Sequence, residues 1–216
     1  MNVLIFGSTG ATGQHLVRIA LARGHGVTAF VRDPSRLQVD HPALRHVVGD
    51  VMDAASVRSA LPGHEAVLCA LGTLPEGAAD KSRRQPGVPV CSVGTRNILA
   101  AMVSSGCARI VLESSASAGE SYGAGRWGGG LVVRGLLKDV MADKELQEAA
   151  VRNSPLDWTI VRPCRLTNGP ARGQLQAGET LRWSLWSRAP RADVASYMVA
   201  ALTDARTSRK AITLKA

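Results

Sequence analysis

Aromatic residues are scarce in this sequence: two Phe, two Tyr and four Trp make up 4% of 216 residues. With 45% hydrophobic content and 22 glycines, that balance suits a soluble α/β protein rich in tight turns. Long apolar runs are lacking as well, so no segment is fit to span a bilayer and membrane insertion is not expected. Cysteine is sparse. Cys69, Cys91, Cys107 and Cys164 stand far apart, without the close pairs of zinc or redox motifs, and are read as reduced thiols. No histidine stands in an H-x-x-H pattern, and no metal site is expected. Met1-Asn2 runs directly into the strand-like Val3–Phe6, without the charged region, apolar core and cleavage site of a secretory signal, so a cytoplasmic protein is expected. Lys and Arg exceed Asp and Glu by 26 to 17, for a net charge of +9, yet the basic residues form no block of five or six. That scatter argues against nucleic acid and for an anionic cofactor or substrate.

Apolar runs of four to six residues alternate with stretches of helical period, the pattern of βαβ units and a parallel sheet. Strands are predicted at Val3–Phe6, Val27–Val31, Leu44–Val48, Ala66–Ala70, Arg109–Leu112, Trp158–Val161 and Ala211–Leu214. Helices are predicted near 12–23, 53–60, 90–105, 131–152 and 193–203. The expectation is one Rossmann-type, doubly wound α/β domain over residues 1–216. Two segments break the alternation, near 118–130 and 166–190, and both follow strands. In an open α/β sheet such loops wall the ligand crevice, so they are the candidate substrate loops.

Gly7, Gly10 and Gly13 stand between the first strand and the first helix. Gly7 permits the sharp exit from the strand, Gly10 lets a diphosphate approach the backbone, and Gly13 lets the helix pack closely. The helix amino terminus then offers N–H groups and a positive dipole end to phosphates, with the Ser8, Thr9 and Thr12 hydroxyls nearby. The second strand ends in Arg32-Asp33-Pro34-Ser35-Arg36, where two guanidiniums suit the 2′-phosphate of NADP(H). Asp33 leaves an alternative open, either pairing with an arginine or holding the ribose of NAD(H). After the third strand, Asp50 is placed to accept from the adenine amino group and Val51 to offer a backbone amide. After the fourth, Leu71, Gly72 and Thr73 let the backbone approach the ribose and diphosphate.

With FGSTGATG, VRDPSRL, VVGDV, LGT, GTRNILAAM, ESSAS and LDWTIVRP in this order, the chain resembles the atypical short-chain dehydrogenase/reductase group. The similarity is to its NAD(P)-binding branch that includes biliverdin IXβ reductase, also a flavin reductase. The resemblance implies hydride transfer to an apolar, planar acceptor. It places Lys144 where the wider superfamily keeps its ribose-binding lysine, and Val140 where that superfamily keeps a catalytic tyrosine. A solvated Lys144 beside Glu148 is the competing reading. Ser114 and Ser115 fall at the active-site serine position, with a turn role as the alternative. Cys164 stands where the branch has a histidine near its substrate, and a thiol is a poorer proton donor than an imidazolium. Tyr122, Trp183 and Trp186 are further substrate-binding candidates, the tryptophans as a lid beside Arg182 and Arg188.

The function expected from these residues is NADPH-dependent reduction of a small planar acceptor, able to carry negative charge, such as a flavin, quinone or tetrapyrrole. Two alternatives stay open: a nonenzymatic NADP(H) sensor or interaction protein, and a biosynthetic isomerase or dehydratase on the same fold. The oligomeric state is not legible.

Overall fold

The first apolar run becomes a strand because Val3 and Ile5 point to one face and Leu4 and Phe6 to the other, and both faces are buried. In the computed structural model, which describes residues 1–72, 88–119 and 138–216, that strand, β1 (Asn2–Phe6), lies at the centre of the sheet. The chain continues through α1 (Ala11–Ala22), β2 (Gly26–Val31), a short 3-10 turn (Pro34–Arg36), β3 (Leu44–Val48), α2 (Ala54–Ala60) and β4 (Ala66–Cys69). Beyond residue 87 come α3 (Val90–Ser105), β5 (Arg109–Glu113), α4 (Lys138–Arg152), β6 (Asp157–Pro163) and β7 (Arg165–Thr167). The last elements are β8 (Gln176–Gly178), β9 (Arg188–Pro190), α5 (Arg191–Ala201), a 3-10 turn (Ala205–Thr207) and β10 (Lys210–Lys215).

The eight-stranded sheet has the order β3-β2-β1-β4-β5-β6-β10-β8, parallel except for the antiparallel β8 at one edge. This is the doubly wound Rossmann arrangement, and the expected fold class holds. The direction of winding reverses between β1 and β4, which opens a crevice at the strand carboxyl ends. Helices α1 and α5 pack together on one side of the sheet, and α2, α3 and α4 pack on the other. Side chains such as Leu16, Ile98, Met102 and Met198 are fully buried in these two layers. Each contributes on the order of 1.5–3 kcal/mol of transfer free energy.

Within the described residues, which leave out 131–137 of the helix predicted over 131–152, the predicted elements match closely, with two physical differences. Helix α5 starts at Arg191, two residues early, directly after Pro190 at its amino-terminal cap, where the missing proline N–H costs the helix no hydrogen bond. The 166–190 segment is not structureless: β7 pairs with β9, and β8 adds to β10. Three-residue strands are too short to show a period. Asp193 on α5 fastens this segment, accepting the Arg172 and Gly173 N–H groups at 2.9–3.1 Å. Of the other candidate loop, residues 120–130 lie outside the described residues, as do Thr73 and Tyr122. Among the described residues no helix is long and apolar enough to cross a membrane, and no cluster of His, Cys, Asp and Glu could hold a metal.

Candidate cofactor site

The glycine turn forms as it does because two of its glycines have no room for a side chain. Gly7 has φ +76°, and a Cβ there would lie 2.4 Å from the Ala70 carbonyl oxygen. A Cβ on Gly13 would lie 2.0 Å from the Gly7 carbonyl oxygen, so α1 packs on the turn itself. Gly10 caps α1 with no side-chain hydrogen bond, which leaves the first-turn N–H groups without a side-chain acceptor. They face a cleft of about 330 Å³ at the strand carboxyl ends, a volume typical of small-molecule sites.

Of the cofactor candidates, Gly7, Thr9, Gly10 and Thr12 line this cleft, together with Arg32, Arg36, Asp50, Val51, Leu71 and Gly72. Ser8 does not: its buried hydroxyl donates to the Phe30 carbonyl and ties the turn to β2. Gly13 acts through packing. Arg32 and Arg36, on either side of the Pro34 turn, are exposed and both line the cleft. Asp33 Oδ1 accepts from the Ser35 hydroxyl at 2.7 Å and the Ser35 N–H at 3.0 Å, bonds that hold its carboxyl below its ordinary pKa. It does not line the cleft. The Asp50 carboxylate accepts the Met52 N–H at 2.9 Å, which fixes the turn after β3.

At the other end of the cleft stands Lys144, buried rather than solvated. Its ammonium donates to the Leu71 carbonyl at 2.8 Å, the Glu113 carbonyl at 2.8 Å and Gln147 Oε1 at 3.1 Å, bracing the ends of β4 and β5. The i+4 partner proposed for it is taken: Glu148 forms a buried bidentate pair with Arg162 of β6. One residue before the lysine, Asp143 accepts the N–H groups of Cys91 and Ser92 and so caps α3 from outside. Val140, one turn earlier, supplies no phenol.

Ser114 and Ser115 diverge. The Ser114 hydroxyl is buried, has no partner among the described residues and belongs to the cleft wall. Ser115 Oγ instead accepts the Ser117 N–H in a turn. The aromatic lid pictured from the sequence is not assembled over this cleft. Cys164 and Trp183 are buried together with Ala116, and Trp186 is 81% exposed beside a separate hollow with Arg182 and Lys215. Burial pushes the Cys164 thiol up to about 11, so no thiolate is available there. Two charged cleft residues escaped the sequence reading: Glu113, at the end of β5, and Arg191, at the start of α5. Their signal was their place at the carboxyl end of one strand and just beyond another.

A glycine turn under an open helix amino terminus, at the reversal point of a doubly wound sheet, defines a dinucleotide-binding Rossmann protein. A family model described as NAD(P)H-binding matches residues 7–205, and the chain belongs to that family. It is 36% identical over 119 residues to the 3-beta-hydroxysteroid dehydrogenase of Mycolicibacterium neoaurum, covering 54% of this chain and 32% of that protein. The chain thus spans about a third of that relative's length. Among solved structures, ChuY of Escherichia coli O157:H7, described as an anaerobillin reductase, superposes with a TM-score of 0.78 at 22% identity, covering 99% of this chain and 96% of that one. A short-chain dehydrogenase/reductase of Veillonella parvula in complex with NADP gives 0.78 at 16% identity, covering 99% and 93%. At such identities the structures establish the fold.

Proposed function

We propose that the protein is a small NADPH-dependent reductase acting on a planar acceptor such as a flavin, quinone or tetrapyrrole. The observation that carries this reading is the division of one cleft into a two-arginine end and an end with Lys144 and Ser114 but, among the described residues, no tyrosine. Arg32 and Arg36 in the cleft lining support a 2′-phosphate, and Asp33, whose Oδ1 is bound to Ser35 outside that lining, is the weaker candidate for the ribose. The residues fit the cofactor. The open first turn of α1 suits a diphosphate, and the unpartnered Ser114 hydroxyl is a polar group in want of a ligand. When bound, NADPH supplies the hydride, and the protein's task is to orient two reacting partners.

Each protein group has a limited part in that task. The three protons of Lys144 are taken by internal acceptors, so it holds the floor of the cleft in shape and adds positive charge. Ser114 is available to bind a carboxamide or an acceptor carbonyl. Without a phenol at position 140, ordinary alcohol dehydrogenation is disfavoured, while reduction of an electron-poor planar system needs less acid–base help. The Val140 position also supports a second reading, a nonenzymatic NADP(H) sensor. A panel of flavins, quinones and tetrapyrroles with NADPH separates them: loss of absorbance at the nicotinamide band supports the reductase, and stable absorbance across the panel supports the sensor.

A further inference from the structure

The cofactor reading leaves one buried acid without a part to play. Glu113 is 7% exposed and lines the same cleft as the glycine turn. Thr12 Oγ1, on the first turn of α1, donates to Glu113 Oε1 at 3.0 Å. Among the described residues, the charged groups that face the carboxyl are Lys144 from α4 and Arg191 from α5, and the buried Cys69 thiol of β4 lies within electrostatic reach. Lys144 donates to two carbonyls and an amide, one of those carbonyls being Glu113's own, and Arg191 donates to Asn168 Oδ1 at 2.5 Å. Burial raises the Cys69 thiol, which stays neutral. Burial also pushes the Glu113 carboxyl above its ordinary value, against the opposing pull of Lys144 and Thr12.

The Thr12 hydroxyl carries one proton, and Glu113 decides where it points. An ionised carboxylate accepts only, so it takes the Thr12 proton and sets a negative charge behind the helix turn where a phosphate would rest. A neutral carboxyl donates to Thr12 Oγ1 instead, and the Thr12 proton is freed for the cleft. We infer that Glu113 is a positioning residue for phosphate binding that acts through Thr12. Binding of the dinucleotide takes one proton from solvent onto the Glu113 carboxyl, reverses the Thr12–Glu113 hydrogen bond and turns the Thr12 hydroxyl toward a phosphate oxygen. No other bond changes. This inference rests on the NADP(H) reading of the cleft.

Calorimetric titration with NADPH, in paired buffers of different ionisation enthalpy from about pH 6 to 8.5, counts the protons taken up. A phosphate monoester titrates near about 6 and would contribute its own share, so the quantity read is wild type minus Glu113→Gln. Wild type should take up as much as one proton more than the variant, with affinity falling toward a limit of about tenfold per pH unit in the window. Glu113→Gln, whose amide donates permanently to Thr12, should keep only the pH dependence that the phosphate monoester itself contributes. Thr12→Val should weaken binding most at low pH, where the wild-type hydroxyl is released. Equal proton counts in wild type and Glu113→Gln overturn the inference, as does a Thr12→Val variant with wild-type affinity and pH profile. Should Glu113→Gln fail to fold, wild type titrated with NADH, which lacks the 2′-phosphate, decides: zero uptake overturns the inference. Absence of nucleotide binding at every pH sinks the cofactor reading and this inference with it, whereas binding without proton uptake sinks this inference alone.

Discussion

Lys144 meets Glu113 at the backbone: its ammonium lies 2.8 Å from the Glu113 carbonyl oxygen and donates to it, while the Glu113 carboxyl is bound by Thr12. The lysine is therefore first a brace between two strand ends, with the Leu71 carbonyl as the second anchor. Lys144→Met is expected to orphan both carbonyls at the cleft floor. Each buried, unsatisfied group costs about 1–3 kcal/mol. Urea unfolding should show a loss in that range or above, with weaker NADPH binding. An unchanged midpoint would show that the brace contributes nothing.

That brace explains what was legible and what was not. The apolar runs Val3–Phe6 and Ala66–Ala70 read as strands because both faces of β1 and β4 are buried, and a local pattern records burial. Helix α4 misleads for the opposite reason. Its Asp143, Lys144, Gln147 and Glu148 look like a solvated face, yet all four are buried, each held by a partner from another element: the α3 terminus, the β4 and β5 carbonyls, Thr95 and Arg162. Sequence spacing offers only neighbours at i+4, and so paired Lys144 with Glu148. Likewise the glycine turn was legible because its geometry is local, whereas the Glu113–Thr12 contact joins residues 101 positions apart.

The two arginines after β2 set a preference that a binding titration can read. Wild type is expected to bind NADPH at least tenfold more tightly than NADH, about 1.4 kcal/mol. Replacing both Arg32 and Arg36 with alanine should bring the ratio near one, chiefly by weakening NADPH. Equal affinity of the wild type for both nucleotides would remove the assignment of these arginines to a 2′-phosphate.

Glycines of the turn should differ in tolerance. A methyl at Gly13 would sit 2.0 Å from the Gly7 carbonyl oxygen, an overlap that backbone must yield to relieve, whereas one at Gly10 would sit at 3.1 Å. Gly13→Ala is expected to cost about 3 kcal/mol or more, and Gly10→Ala about 1 kcal/mol. Thermal unfolding of the two variants checks the order. The reverse ranking would mean that α1 does not pack on the turn as described.

The buried Glu113 carboxyl also fixes how stability without ligand should depend on pH. Its folded pKa is raised by burial, so the folded state holds a proton that the unfolded chain gives up at an ordinary carboxylate pKa. Within the interval between those two values the native state binds more protons, and stability falls as pH rises. Its favourable contribution is complete below the unfolded value and is lost as pH climbs through the folded one. Glu113→Gln keeps a neutral side chain at every pH and escapes that decline. In urea unfolding, the variant should therefore gain on wild type as pH climbs from the ordinary carboxylate range through the raised folded value, by about 1.4 kcal/mol for each unit that the folded pKa lies above the unfolded one. A gap that stays constant with pH would mean that Glu113 is ionised in the fold, held by Lys144 and Arg191 across the cleft rather than by a proton.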